Sequence, residues 1–286
     1  MSASFSKKAI RLSITLGEVT FAGGRATKTI EGLACDVSVR KSGVPDKNEA
    51  KVKVWGLSYE SMAQLTMLAF KPLESQHNLI SIEAGVKGGA MSLVFEGEIV
   101  SAFADFNAAP DVCMEFEADS GAYPQQVALP SATVNGEVRA EHLFAQFAAQ
   151  AGYSFRNEGV TSSVRDASFA GSPYDKLFKL ARYLGCQLII DDGAVVVTPA
   201  GQARRGGSVP LNKDTGLIGY PTFTREGISC RCLFNPCLEF GGLINVQSKV
   251  PHATGIWRIT GLNHAITAET PGGGRWESQI EAAFYE

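Results

Sequence analysis

Three cysteines fall within eight residues in the stretch CRCLFNPC, Cys230 to Cys237. Thiolates this close raise the question of a metal clamp. A closed zinc site takes four tetrahedral ligands, usually two close pairs such as C-x-x-C with a second pair further on. The spacing here is C-x-C-x4-C. The downstream nitrogen ligands, His252 and His264, do not form an H-x3-5-H pair. As a strand, the same stretch puts Ile228, Cys230 and Cys232 on one face and Ser229 and Arg231 on the other. Asn235-Pro236 then ends it, because proline has no ladder donor and asparagine favours turns. The expectation is a strand with buried thiols and no metal site.

Carboxylates form the second group. Glu115, Glu117 and Asp119 alternate with Met114, Phe116 and Ala118, giving an acidic stripe along one face of a strand. Glu96 and Glu98 repeat the pattern on what reads as the adjacent strand. Facing acidic rows repel by tenths of a kcal/mol up to ~1 per opposed pair, and Lys51 and Lys53 of AKVKVW are candidates to offset this. The stripe fits a solvated face. It also fits the lining of a channel, where negative potential keeps a polyanion from sticking. Paired carboxylates for glycoside cleavage need a cleft with an aromatic sugar platform, and nothing in the pattern supplies one. G-x-S-x-G, G-x-G-x-x-G after a strand, the P-loop and H-E-x-x-H are absent. His77, His142, His252 and His264 are scattered. The chain reads as a non-enzyme with no catalytic residues and no cofactor.

The elements that must carry these residues are mainly strands. The 286 residues are 45% hydrophobic and 19% charged, an ordinary globular composition with material for two or three domains. A formal charge of −3 advertises no affinity for nucleic acid. Six unevenly spaced cysteines do not resemble a secreted disulfide framework, so reduced thiols in a cytoplasm are expected. MSASFSKKAIRLSITL lacks the apolar core of a signal peptide, and no apolar run approaches membrane-spanning length.

Residues 1–120 alternate strongly in IRLSITL, CDVSVR, AKVKVW, LISIEAGV, SLVFEGEIV and VCMEFEA. Each reads as a half-buried antiparallel strand. Gly23-Gly24, Gly43 to Asp46 and Gly88-Gly89 supply turns. One short helix is expected after Ser58, with Met62, Leu65 and Leu68 or Ala69 on its apolar face and Pro72 as its stop. After a linker at 121–130, residues 131–199 change period. AEHLFAQFAAQAGY reads as a helix with Leu143, Phe144, Phe147, Ala148 and Ala151 inward and Gly152 past its end. A second helix is framed by Ser172 as N-cap, Pro173, Asp175 and Gly185. Asp191-Asp192-Gly193 marks a hairpin between CQLII and AVVV. The segment is a β-α-β-β-α-β-β module. PAGQARRGGS reads as a flexible connector, taken as a linker at 200–207, with Arg204-Arg205 solvated. Residues 208–286 return to alternation in GLINVQS, GIWRITGLNHAIT and RWESQIEAAF, and Trp257 and Trp276 are expected to anchor a core. The fold class is therefore mainly β with an α+β insert.

The ordered series LNKDTGLIGYP, NPCLEFGGLINVQS and GIWRITGLNHAITAETPGGGRWESQIEA resembles the baseplate hub protein of contractile-tailed bacteriophages, relatives of late control protein D. The N-terminal GVPDKNEAKVKVWGLS, ISIEAGV and LVFEGEIV and the middle AEHLFAQFAAQAGYSF … SPYDKLFKLARYLGCQLIIDDGAVVVTP extend the likeness over nearly the whole chain. The Cys cluster is not part of it. The resemblance implies a homotrimer around the tail axis in the virion baseplate, assembled in the host cytoplasm. Each chain would contribute two tube-like antiparallel β-barrel domains flanking the insert, so that three chains present six similar units. Implied partners are the tail tube or distal tube protein, the central spike and other baseplate proteins. DNA would pass through a bore without specific binding, and no membrane insertion is implied. Glu96, Glu98, Glu115 and Glu117 are the candidate bore-facing set. Alternatives are a hub or spike component of a type VI or other contractile injection system and a periplasmic secretin-like N-terminal binding module. A tail lysin is a third, which a cell-wall zymogram would detect.

Overall fold

Alternating patterns put 49% of the chain in strands and 14% in helices, so the protein is mainly β. The computed structural model describes residues 6–17, 26–69, 78–107, 109–127 and 129–285. The expected Gly23-Gly24 turn, the Pro72 helix stop, the Leu68 and Ala69 side chains and His77 lie outside what is described. The chain divides into two compact units. The first comprises Met1–Val39, Glu49–Asp119 and His264–Glu277; the second comprises Arg40–Asn48, Ser120–Asn263 and Ser278–Glu286.

The first unit contains β1 (Lys8–Thr15), β2 (Thr27–Glu31), β3 (Cys35–Lys41, up to Val39), β4 (Glu49–Trp55), α1 (Tyr59–Ala69), β5 (Leu79–Val86), β6 (Met91–Asp105) and β7 (Cys113–Asp119). The strands lie in the order β3-β4-β7-β6-β5-β1-β2. Period-2 alternation gives one apolar face. Leu12, Ile14, Ile80, Ile82, Val52, Val54, Met114 and Phe116 are at most 1% exposed, and each such side chain contributes about 1.5–3 kcal/mol of burial free energy. Ser58 caps α1 by accepting from the Ser61 amide at 3.2 Å. Met62 and Leu65 of α1 are buried, and Thr66 Oγ1 lies 3.9 Å from Met114 Sδ, so the helix covers the apolar face. β6 carries two register shifts, between Ile82 and Glu83 of its β5 partner and between its own Ile99 and Ser101. Each inserts a residue that bends the strand and raises its twist.

The second unit begins with α2 (Ala122–Gln126), β8 (Ala132–Thr133), β9 (Glu137–Arg139), α3 (Ala140–Gln150), β10 (Ser154–Asn157), β11 (Ser163–Arg165), β12 (Ser168–Phe169), α4 (Pro173–Leu184), β13 (Cys186–Asp191) and β14 (Ala194–Pro199). β10 runs parallel to β14, which pairs antiparallel with β13. Both helices bury their stripes against this sheet, with Phe144, Phe147, Leu177, Leu180, Val195 and Val197 at its core. The α4 cap is the reciprocal pair expected. Asp175 N–H donates to Ser172 Oγ, and Ser172 N–H donates to Asp175 Oδ2, both at 3.1 Å. Gly185 ends the helix at φ 64. Asp192 and Gly193 both have positive φ, 48 and 72, the backbone of a two-residue type I′ turn.

Beyond the insert come β15 (Val209–Leu211), β16 (Leu217–Phe223), β17 (Ile228–Leu233), β18 (Leu243–Val246), β19 (Gly255–Ala268) and β20 (Trp276–Phe284). Their order is β16-β17-β20-β19, with β18 joined to β19 and β15 to β18. Trp257 is buried in this unit's core, edge-on to Phe284 at 5.3 Å and donating Nε1–H to Ala253 O. Trp276 does not join it. It is half-buried and belongs to the first unit, to which the tip of the β19–β20 hairpin is assigned.

Candidate functional surfaces

The face of the first unit opposite its apolar core is mostly polar in its register, interrupted by Leu79, Leu93 and Phe103. β4 and β7 set Lys51 against Glu117 and Lys53 against Glu115. The ammonium groups reach the carboxylates at 3.0 and 2.5 Å, and those hydrogen bonds hold both lysines above their ordinary pKa. The cationic offset expected from AKVKVW is therefore in place. The next row joins Glu49, Asp119 and Glu98 across β4, β7 and β6. Glu96 lies opposite Ser81 of β5. Ser81 faces Ser13, which faces Thr29; Glu83 faces Arg11, which faces Glu31. Arg11 bridges Glu31 and Glu83 at 3.0 and 3.1 Å. The four candidate glutamates thus share one face, although the extra residue at Val100 brings Ser101 and Phe103, not Glu96 or Glu98, opposite Glu117 and Glu115. Their exposure differs. Glu117 is exposed, Glu96 and Glu115 are half-buried, and Glu98 is buried at 3%.

The second unit holds a buried charge cluster that local sequence did not announce. Lys41 Nζ pairs with Asp191 Oδ1 at 2.8 Å and Asp192 Oδ2 at 2.7 Å. Arg204 pairs with Asp191 Oδ2 at 3.1 Å and Glu239 at 3.4 Å. Asn48 Nδ2 donates to Asp191 Oδ1 and Ile190 O, each at 3.0 Å. Lys41, Asn48, Asp191 and Arg204 are all buried. Burial opposes the charge of Asp191, but Lys41 and Arg204 outweigh it and hold the carboxyl below its usual range. Burial likewise opposes the charge of Lys41, yet Asp191 and Asp192 push its ammonium up. An amine held charged is no nucleophile, so the cluster does architecture rather than chemistry. It fastens residues 40–48, the β13–β14 turn and the 200–207 connector together. The reading of Arg204-Arg205 as a solvated pair is corrected for Arg204. Arg205 is exposed as expected, while its amide donates to Glu158 Oε2 at 2.6 Å.

The sulfurs behave as a strand requires. Cys230 and Cys232 face inward beside Ile228, Leu238, Trp257 and Ile280, and Cys237 is exposed. Burial pushes the Cys230 thiol up to about 11. A thiol reagent at neutral pH is expected to label Cys237 promptly and to reach Cys230 and Cys232 only on unfolding, which stopped-flow labelling with and without denaturant would measure. Asp105, Cys113 and Glu115 place potential ligand atoms within 4.8 Å of one another. The Lys53 ammonium already occupies Glu115, and burial, then Glu115, raise the Cys113 thiol. A protonated sulfur beside a lysine is a poor cation site. His142 and His252 are exposed and His264 is buried.

Comparison with known proteins agrees in one direction. A family model described as baseplate hub gp41 matches residues 12–270. The fold is similar to the 43 kDa tail protein of prophage MuSo2 from Shewanella oneidensis (TM-score 0.61, 11% identity, 96% of both chains). It is similar to a tail protein from Neisseria meningitidis MC58 (TM-score 0.63, 9% identity, 96% of both chains). An Escherichia coli component of the type VI secretion system, described as structurally similar to T4 tail proteins gp27 and gp5, matches at TM-score 0.58 and 11% identity over 96% of this chain and 77% of that one. No curated protein matches by sequence.

Proposed function

Because the chain belongs to the baseplate hub gp41 family, a family of structural tail proteins, we propose that it forms a homotrimeric ring joining a hexameric tail tube to a trimeric spike. Each chain would supply two tube-like β units, drawn from residues 1–120 and 208–286, around the 131–199 insert. Closed symmetry buries repeated surfaces into a stiff ring. Its partners are further copies of itself, the tube or distal tube protein, the central spike and other baseplate proteins. Its place is the virion baseplate after assembly in the host cytoplasm.

The observation that carries this reading is the polar face of the first unit. Hydroxyls and paired charges run across β2, β1, β5, β6, β7 and β4 with carboxylates in excess of Arg11, Lys51 and Lys53. A bore lined this way repels a polyanion, although exposed Leu93 and Phe103 lie on the same face. Glu96, Glu115 and Glu117 present charge to the bore, and buried Glu98 sets the potential behind them. Converting Glu96, Glu115 and Glu117 together to lysine is expected to leave particle assembly intact and to lower genome delivery severalfold, read as plaque titre per particle. Unchanged infectivity would reject the bore assignment. Mass measurement in solution, with and without the spike protein, tests the trimer.

The type VI component in the comparisons favours a second reading, the same hub position in a contractile injection particle. A secretin-like module accounts for the insert alone, whereas the tail proteins cover 96% of the chain.

A further inference from the structure

Tyr59 and Phe106 stack against each other in the first unit with ring planes 4° apart and centroids 6.2 Å apart. Both are exposed, at 71% and 54%, and on β6 Val100 and Phe103 are exposed as well. Rings that stack on each other while remaining in water have not found a core, and such an exposed pair marks an interaction surface. Their neighbours are acidic. Glu60 follows Tyr59, Asp105 precedes Phe106, and Asp111 lies on the same β6–β7 turn. Among the described residues Glu60 and Asp111 have no ion pair, and the Asp105 carboxylate accepts from the Asn107 amide at 2.9 Å and lies in the field of Lys53. Two lysines lie near among the described residues: Lys53 is engaged by Glu115, and Lys28 Nζ donates to Ser61 Oγ at 2.8 Å, one residue from Glu60.

We propose that this aromatic pair and its carboxylates dock an arginine-bearing segment of another protein. The excess of carboxylates (Glu60, Asp105, Asp111 and Glu115) over Lys28 and Lys53 disfavours nucleic acid and acidic peptides. A guanidinium satisfies both halves of the surface, because it stacks on an aromatic face while its fork pairs with a carboxylate. An ammonium pairs with the carboxylate but gains less from the rings. The inference needs no ring, although Asp105 borders Glu115 of the proposed bore face.

The full chain would be titrated against fluorescein-labelled peptides of alternating leucine with arginine, lysine or glutamate, read by anisotropy. The arginine peptide is expected to bind, the lysine peptide several-fold more weakly, and the glutamate peptide not at all. Phe106→Ala, and separately Asp105→Asn with Asp111→Asn, are expected to weaken arginine-peptide binding at least tenfold. Lys213→Ala, an exposed change elsewhere, should leave it unchanged. Both aromatic-pair residues are exposed, and equal melting temperatures would show that the variants fold. Equal binding of arginine and glutamate peptides, or binding indifferent to Phe106→Ala, overturns the proposal. So does sedimentation showing self-association that Phe106→Ala abolishes, which would make a second copy the occupant.

Discussion

Replacing Asp191 with alanine is expected to destabilise the protein by about 3–5 kcal/mol, the usual cost of removing one partner from a buried ion pair. Lys41 would keep Asp192, but Arg204 Nη1 would lose its carboxylate partner, and Asn48 Nδ2 would lose one of two acceptors. Arg204 Nε is already buried without a partner among the described residues, so the guanidinium has little slack. Urea unfolding would read the loss as a lower midpoint at unchanged slope. Arg205→Ala is the control. That side chain is exposed and its neighbour's network is untouched, so it is expected to stay within about 0.5 kcal/mol of the parent. An Asp191 variant no weaker than the Arg205 variant would remove the cluster from the account of stability.

The same cluster fixes a pH window. Asp191 has its folded pKa lowered, so its contribution is fully present above the unfolded carboxyl value, about 3.9, and is lost as pH falls through the still lower folded value. Lys41 has its folded pKa raised, so its contribution is fully present below the unfolded value, about 10.4, and is lost as pH rises through the folded one. Between those limits the cluster contributes a constant amount, and the Asp191 variant should show a flatter acid limb than the parent.

How legible these features were in the sequence depends on how local their causes are. The α4 cap and the Asp192-Gly193 turn are set by residues within four positions of each other, and both appear as expected. Lys51 and Lys53 met Glu117 and Glu115 because alternation fixes which side chains share a face, and neighbouring strands do the rest. β2 escaped notice because TKTIE carries one apolar residue, Ile30, and gains strand character only by pairing with β1. β16 carries Gly219 and Pro221, breakers that a bulged strand tolerates. Arg204 was misread because GQARRGGS looks solvated, and only Asp191 and Glu239, distant in sequence, make its burial affordable. The exposure of each glutamate was hidden for a related reason. Period 2 predicts a face, but the bulge at Val100 and the surroundings of Glu98 are decided in three dimensions.

A chain ending at Asp119 is expected not to melt as a cooperative unit, although it contains β1 to β7 and α1. The first unit also includes His264–Glu277. Ala265, Ile266 and Ala268 of that segment are at most 6% exposed. Glu269, at φ 56, accepts from Lys7 at 2.5 Å and Lys87 at 3.2 Å, and Lys8 lies 5.7 Å from the Trp276 ring centroid. These exposed ion pairs are individually weak, so Glu269→Ala should change stability little. The apolar side chains matter more, since burying Ile266 alone contributes about 1.5–3 kcal/mol, and a whole stability of only about 5–15 kcal/mol leaves small room for losing the segment. The truncated chain should elute as an expanded species, bind a hydrophobic dye and unfold over a broad range. Grafting residues 264–277 after Asp119 through a glycine-serine linker should restore a sharp transition. A sharp melt from the ungrafted chain would mean that the N-terminal strands close on their own, and the C-terminal hairpin tip would then be an ornament on the first unit rather than part of its core.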